Sequence, residues 1–347
     1  MTEQTQARLA FIGCGSFCTA SILPGVARSE IIDIVAMCDI DRDRAEDRAR
    51  RFGARRVYTD SEEMLDTEEL DGVFVIGAAP QQYELAPQVM KRGIPVYVEK
   101  PSANTSAQAV ELARIAEQHG TWGQVGFMKR FCEAYLMGQE IVNSEEFGDI
   151  ATVSVKFAQG DYPQIWGIDS ARRAFLIGQC VHIFDLARFF GGDIAAVSSL
   201  YTERTETQSA YMINVEFASG AIGQINITGL ESSKAFSDIE ERLEVAGDMQ
   251  VLTINDMMCI DWKRRQDWLS EPVRRGRFSS RYAPALLTVV DGYTFHGYKG
   301  EAEHFARRCL GEVAEGPDLW DSARALAIGE AVYESVQTSQ RVTVAEV

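Results

Sequence analysis

Over residues 8–126, short apolar runs alternate with stretches in which apolar side chains recur at helical spacing. The pattern predicts strands over 8–12, 32–38, 57–58, 72–76, 95–98 and 123–127, and helices over 16–29, 42–52, 61–65, 82–92 and 106–119. Gly53 and Gly93 stand where left-handed residues close helices. Strand and helix in regular alternation point to a parallel sheet, and a run such as Val73-Phe74-Val75-Ile76 suits a strand buried on both faces. The rhythm then changes. Residues 150–158, 195–202, 210–217, 221–228, 242–246 and 250–254 read as strands joined by turns such as Ala218-Ser219-Gly220, an antiparallel habit. Helices over 300–310 and 319–335 and a short strand over 341–344 close the chain. The expected fold class is α/β. A doubly wound parallel sheet fills residues 1–126, and an α+β domain with a large, mostly antiparallel open sheet fills 127–347.

The chain of 347 residues is long enough for two such domains, each with its own core. With 46% hydrophobic and 24% charged residues it has an ordinary globular composition, which excludes disordered and fibrous classes. Acidic residues outnumber basic ones, 51 to 34, and the net charge of -17 argues against nucleic acid or an anionic membrane as partner. Any anionic ligand must be held locally. Against that background the basic stretch from Lys263 to Arg277, interleaved with Trp262, Trp268 and Phe278, reads as a loop or subunit contact. The seven cysteines are odd in number and lack zinc spacing, so a reducing compartment and no structural metal are expected. Residues 1–7 lack the features of a secretory signal, and no apolar run approaches the roughly 20 residues of a bilayer span. A cytoplasmic protein is the expectation.

Gly13-Cys14-Gly15-Ser16-Phe17-Cys18 follows the first strand and opens the first helix. With 28 glycines in 347 residues, chance alone yields about two Gly-x-Gly triplets, so the position carries the information. In a strand-to-helix turn the first glycine permits a tight bend and the second lets backbone approach a pyrophosphate, which the helix N–H groups then hold. Cys18 stands where the fingerprint carries a third glycine, and a plain turn is the competing reading. Asp39 ends the second strand, 24 residues after Gly15, where a carboxylate accepts the ribose hydroxyls of an adenosine and repels a 2'-phosphate. NAD is thereby favoured over NADP, although Arg42 and Arg44 nearby weaken the discrimination. The competing role for Asp39 is a helix N-cap, which Asp41 fills equally well.

Glu99-Lys100-Pro101 puts a lysine just past a strand's carboxyl end, where open α/β sheets bind ligands. A buried ammonium there would be pulled below its free pKa and would orient, and partly deprotonate, a substrate hydroxyl; a surface turn is the competing reading. Of the four histidines, His119 ends a helix, His296 lies in a glycine-rich loop and His304 sits in a helix beside Glu303. His182 is in the apolar helical segment 178–190, with Asp185 on the same face at i+3. It is a candidate base or a satisfied core histidine.

Taken together, the glycine turn, the acidic residue after the second strand, Glu99-Lys100-Pro101 and His182 with Asp185 resemble the Gfo/Idh/MocA family of glucose-fructose oxidoreductase and inositol dehydrogenase relatives. Gly126-Phe127-Met128-Lys129-Arg130-Phe131 and Gly300-Glu301-Ala302-Glu303-His304-Phe305 extend the resemblance over nearly the whole chain. The resemblance implies a Rossmann domain and a second domain whose open sheet packs against other subunits, giving a homodimer or homotetramer. It also implies hydride transfer between a nicotinamide and a sugar or polyol, with Lys100 and His182 as the catalytic pair and no metal. The implied cofactor residues are Gly13, Cys14, Gly15, Ser16, Phe17, Asp39, Glu99 and Lys100.

The substrate end departs from the family pattern. Gly178 and Cys180 stand where relatives carry an aspartate and a glycine, Arg172-Arg173-Ala174 replaces a glycine-rich segment, and Gln82 and Tyr83 occur where a histidine is common. One reading keeps a dehydrogenase in which Gln179 or Asp185 orients His182 and Arg172 or Arg173 pairs with an acidic sugar, Tyr162 and Trp166 lining the pocket. A second keeps NAD binding without turnover, as a regulatory or scaffold protein. A third uses the same parts for NAD-assisted hydrolysis or epimerisation.

Overall fold

A computed structural model describes residues 5–231, 240–264 and 296–347. The chain forms two compact units, one of residues 1–131 with 291–327, the other of residues 132–290 with 328–346.

In the first unit six parallel strands are ordered β3-β2-β1-β4-β5-β6. They are β1 (Ala7–Ile12), β2 (Ile32–Cys38), β3 (Arg56–Tyr58), β4 (Gly72–Val75), β5 (Val96–Val98) and β6 (Gly123–Val125). From β1 the chain winds first toward β3 and then back past β1 to β6. The carboxyl ends of β1 and β4 therefore flank the point where the winding reverses, which is where doubly wound sheets bind ligands. The helix Arg42–Phe52 begins where the Asp41 side chain accepts the Arg44 N–H at 3.1 Å, and it ends at Gly53 with φ 86°.

The helix predicted over 16–29 is shorter and distorted. A π-helical turn, Cys18–Ile22, leads into Leu23–Val26. Pro24 offers no amide to the preceding turn, and the chain accommodates this by widening before it.

The first unit's core is aromatic. Phe11 stacks on Phe74 at 4.6 Å, and Phe74 meets Tyr97 at 4.6 Å and Phe305 at 5.0 Å. Phe305 belongs to the helix Tyr298–Cys309, so residues up to Ala327 pack with the first sheet, whereas the sequence pattern groups them with the second domain. Order along the chain is no guide here, because the helix Tyr298–Cys309 returns to pack on the first sheet. The boundary expected at 126/127 falls between Phe131 and Cys132.

The second unit holds an eight-stranded sheet, β13-β12-β11-β7-β10-β9-β8-β14. Its strands are β7 (Thr152–Ala158), β8 (Ile194–Thr205), β9 (Gln208–Phe217), β10 (Ile222–Thr228), β11 (Glu240–Ala246), β12 (Val251–Asn255), β13 (Cys259–Lys263) and β14 (Val342–Thr343). Neighbours are antiparallel except β7 and β10, which run parallel. Strand residues alternate: Val153, Val155, Ile213, Val215, Ile225 and Leu243 are buried, while Leu200, Met212 and Ile222 stand exposed on the other face. Gly191 brings the helix Val181–Gly191 close to β9, since a β-carbon there would lie 2.4 Å from the Phe217 ring.

Strand β13 and the helix Glu133–Val142 do not figure in the sequence pattern above. Against the expectation that no apolar run approaches a bilayer span, the helical stretch Ala171–Gly191 is long and apolar enough by length and composition. Most of it is buried inside the second unit, the behaviour of a core helix. Of the basic stretch, Lys263 and Arg264 are described. Arg264 stacks 3.7 Å from the Trp262 ring centre and pairs with Glu146 at 3.2 Å. Residues 265–295, with Trp268, Arg274, Arg275, Arg277 and Phe278, lie outside the described residues.

Candidate nucleotide and catalytic site

The turn after β1 is set by its glycines. Gly13 has φ 95°, and a β-carbon on it would lie 2.0 Å from the Ile76 carbonyl oxygen at the end of β4. Any other residue would be strained and would push the two strand ends apart. Around Gly15, apart from its own chain neighbours, no atom among the described residues lies within 4 Å of the corresponding position, so backbone is approachable from that side. Ser16 and Phe17 open the helix, and Thr19 donates its hydroxyl to the Gly15 carbonyl at 2.8 Å. Arg48 donates from the next helix to Thr19 Oγ1 at 2.7 Å. Cys18 is fully buried in the fingerprint's third place, and burial raises its thiol well above the ordinary range.

Asp39 is tied to this turn. Its Oδ2 accepts the Cys14 N–H at 2.8 Å, and its Oδ1 accepts the Asp41 N–H at 3.0 Å and the Arg44 guanidinium at 3.1 Å. Asp41 takes the helix N-cap, which leaves Asp39 as the carboxylate beside the glycine turn. Burial, then the charge of Asp39, pushes the Cys14 thiol up to about 12. A tight glycine turn, an open Gly15 and a buried carboxylate at the tip of β2 together fit a dinucleotide pyrophosphate and its adenosine ribose. Arg44, bonded to both Asp39 and Asp41, is the cation nearest that carboxylate's hydrogen-bond network.

Lys100 follows β5 at the same carboxyl edge of the sheet, and its bond to Pro101 is cis. The turn is clamped by Gln82, which is fully buried in the helix Ala79–Met90. Gln82 Nε2 donates to the carbonyls of Glu99 at 2.8 Å and Pro101 at 3.0 Å, and its Oε1 accepts the Glu99 N–H at 2.7 Å. The amide's hydrogen-bonding capacity is almost fully used on three backbone groups around Lys100. The Glu99 side chain turns inward, accepting the Lys100 N–H at 3.1 Å and the Tyr97 hydroxyl at 2.8 Å. Burial pushes the Glu99 carboxyl up to about 7, against the lowering pull of Lys100 and Tyr97. Gln82 stands out in sequence only as a departure from the family pattern. A glutamine in helical register with the buried Ala79, Ala86 and Val89 is the signal that marks it.

In the second unit His182 is buried in the helix Val181–Gly191, which continues from Ala171–Phe175 through a π-helical turn, Leu176–Cys180. The wide turn thus falls immediately before the histidine, a frequent device at functional sites. Asp185 is buried and lies 4.0 Å from Arg188, whose guanidinium also reaches Asp193 at 2.7 Å. A β-carbon on Gly178 would lie 2.3 Å from the Tyr162 hydroxyl, so that phenol fills the space beside Gly178, one turn ahead of His182. Trp166, four residues beyond Tyr162, has φ 55°, a costly conformation for a bulky residue. Gln179 is half-buried within the π-helical turn.

The arginines are differently engaged. Arg172 lies 5.7 Å from the Tyr201 ring centre and 5.4 Å from that of Tyr333, and Arg173 pairs with Asp169 at 3.2 Å. Both belong to the helix Ala171–Phe175, with Arg172 about 15 Å of helix axis before His182. The structure brings them to aromatic and acidic neighbours of their own. Of the remaining histidines, His119 is the C-cap of the helix Ser106–Gln118, and His304 Nδ1 lies 2.9 Å from Gln124 Oε1.

A parallel sheet with this turn and carboxylate fits a dinucleotide-binding protein, and known proteins make the class specific. The profile of an oxidoreductase family with an NAD-binding Rossmann fold matches residues 7–127, and that of the same family's C-terminal alpha/beta domain matches residues 139–344. The chain belongs to this Gfo/Idh/MocA oxidoreductase family, and its cofactor is NAD. It is 25% identical over 338 residues to inositol 2-dehydrogenase 2 of Saccharopolyspora erythraea, covering 95% of this chain and 93% of that protein. Among solved structures, a dehydrogenase from Chromobacterium violaceum superposes with a TM-score of 0.86 at 22% identity, covering 97% of this chain and 96% of that one. Levoglucosan dehydrogenase in complex with NADH superposes with a TM-score of 0.84 at 18% identity, covering 99% of this chain and 100% of that one.

Proposed function

We propose that this protein is a dehydrogenase that oxidises a CH–OH carbon of a sugar, polyol or sugar acid with NAD. The observation that carries the proposal is the pairing, on one sheet edge, of the Gly13–Asp39 nucleotide turn with a lysine whose backbone is clamped by Gln82. NAD, when bound, supplies the hydride acceptor. Gly15, Ser16 and Phe17 present backbone N–H groups to its pyrophosphate, Gly13 and Cys14 shape the turn through amides already bonded to the Cys38 carbonyl and Asp39, and Asp39 accepts a ribose hydroxyl. Lys100, beside Glu99, orients the substrate hydroxyl and steadies the developing alkoxide, while His182 takes its proton as general base. Tyr162 and Trp166 offer a flat apolar surface to a sugar ring, and Gln179 and Asp185 are the nearby polar residues for its other hydroxyls. The names of the relatives, an inositol dehydrogenase and a levoglucosan dehydrogenase, support an uncharged ring substrate. The aromatic engagement of Arg172 supports that choice over an acidic sugar.

The same proposal includes a second copy of the chain on the open face of the second sheet, supported by Leu200, Met212 and Ile222, which are 76%, 46% and 59% exposed there. It extends to a cytoplasmic protein, supported by seven free thiols. The test is a titration with NAD and NADP followed by tryptophan fluorescence, then a screen of polyols, sugars and sugar acids for absorbance of the reduced cofactor. Tight NAD binding with turnover of a polyol or sugar is expected. Tight binding with no turnover across a broad panel overturns the dehydrogenase in favour of a sensor or scaffold.

A further inference from the structure

Behind the Lys100 turn lies a row of three buried oxygens. The Tyr97 hydroxyl is 2.8 Å from Glu99 Oε1 and 2.8 Å from Glu301 Oε1. Tyr97 and Glu301 are fully buried and Glu99 is 4% exposed. Gly126 is pressed against the row, since a β-carbon there would lie 2.5 Å from the phenol oxygen and 2.7 Å from Glu99 Oε1.

A phenol carries one proton, so it donates to one of these carboxyl groups and accepts from the other. With both carboxyls ionised, one of the two short contacts would set oxygen against oxygen with no proton in between. One carboxyl is therefore protonated. Glu99 is the better anion, because its Oε2 accepts the Lys100 N–H and the Lys100 charge favours its ionised form. Glu301 is the better acid. Its Oε2 is buried with no hydrogen-bond partner among the described residues, a costly state for a carboxylate and a tolerable one for the carbonyl oxygen of a neutral acid.

We propose that Glu301 keeps a proton at neutral pH and, through Tyr97 and Glu99, acts as a positioning residue for Lys100. Hydrogen bonds then run in one direction, from Glu301 to Tyr97 to Glu99, and Glu99 is left with both oxygens bonded and its second one on the Lys100 amide. Burial and the neighbouring Glu99 charge both raise the Glu301 carboxyl well above its ordinary value. The other groups facing the pair are few. Tyr298, on the Glu301 helix, shares a hydrogen bond with Ser21, and the Cys18 thiol lies within the field of Glu99. Gln124 of β6 donates to the Glu301 carbonyl at 2.9 Å and meets His304 on its other side. Lys100 is the cation that acts on both carboxyls. When alkali removes the Glu301 proton, the single phenol hydrogen faces two anions. Glu99 is then repelled, and with it the turn that holds Lys100.

The effect on catalysis rests on the reading of Lys100 above; the proton count does not. The test is urea unfolding of the whole protein at several pH values, for wild type and Glu301→Gln, whose amide still donates to Tyr97 but has no proton to release. A group protonated in the folded chain and ionised in the unfolded one raises the unfolding constant about tenfold per pH unit. Between about pH 6 and 8 that constant should rise more steeply in wild type than in Glu301→Gln, by about tenfold per pH unit. Parallel slopes overturn the proposal. If the variant does not fold, the infrared spectrum of wild type at pH 8 decides: a carboxylic-acid C=O band supports the proposal, and its absence overturns it. In turnover, Glu301→Gln should move the alkaline limb of the kcat profile, and an unmoved limb overturns the positioning role. Lys100→Ala with undiminished turnover would remove the reading of Lys100 while leaving the unfolding slopes as they are.

Discussion

The two sheets solve the same burial problem in opposite ways, and the difference separates the legible end of this protein from the illegible one. In the first sheet, β1, β2 and β4 are covered on both faces, so their side chains form apolar runs and chemistry is left to the turns at their carboxyl ends. Backbone geometry then dictates residue type: Gly13 has a positive φ and no room for a β-carbon. In the second sheet one face is open and the other is covered by a helix whose residues from Val181 to Ala187 are all buried. There His182 is one buried residue among apolar neighbours, and a role for it as base would depend on groups distant in sequence. The nucleotide turn is written into a backbone shape, the surroundings of His182 into a packing arrangement.

The largest expected effect tests whether these functions are as separable as the sheets. His182→Ala should lower kcat by about 10²- to 10⁴-fold with the NAD dissociation constant unchanged; steady-state kinetics beside a fluorescence titration reads both. A matching loss of NAD affinity would break the comparison. Next comes stability. Phe74→Ala removes a ring that meets Phe11, Tyr97 and Phe305, and should cost about 3–5 kcal/mol in urea unfolding. A cost below about 1 kcal/mol would show that this core is not closed on both faces. Asp39→Ala should weaken NAD by about 10- to 100-fold, the worth of one or two charge-assisted hydrogen bonds, and narrow its advantage over NADP. An unchanged NAD to NADP ratio would remove Asp39 from the ribose. The smallest effect on folding is expected on the open face. Leu200→Ser should leave unfolding within about 0.5 kcal/mol yet weaken self-association, measured by sedimentation. A large loss of stability in the monomer would mean that the face is not open.

The contrast also explains what sequence could reveal. The six parallel strands, the capped helix Arg42–Phe52 and its closing Gly53 follow from runs, caps and a left-handed glycine, all local signals. The helix Glu133–Val142 carries no such signal: Cys132 at its start makes no capping bond, and its buried residues are Ala, Tyr, Gly and Val. Strand β13 is hidden because Asp261 and Lys263 make its outer face look like the start of the basic stretch. At the candidate site, Gly13 is legible because the turn itself requires it and Asp39 because it closes on that turn, whereas nothing in the chain's own packing requires Gly15. The surroundings of Arg172 are not legible, since Tyr201 and Tyr333, whose ring centres lie 5.7 and 5.4 Å from its guanidinium, are distant from it in sequence. Glu301 is visible only as a carboxylate on the apolar stripe that includes Tyr298, Ala302 and Phe305, a pattern whose meaning requires Tyr97 beside it.

Asp39 holds the Cys14 amide within the folded chain itself, and Arg48 holds the Thr19 hydroxyl. The nucleotide loop is accordingly stiffened in advance, and little freedom remains to be surrendered when a dinucleotide docks. Contact energy then goes into affinity instead of into ordering the receptor, so capture should resemble a key entering a cut lock more than a hand closing.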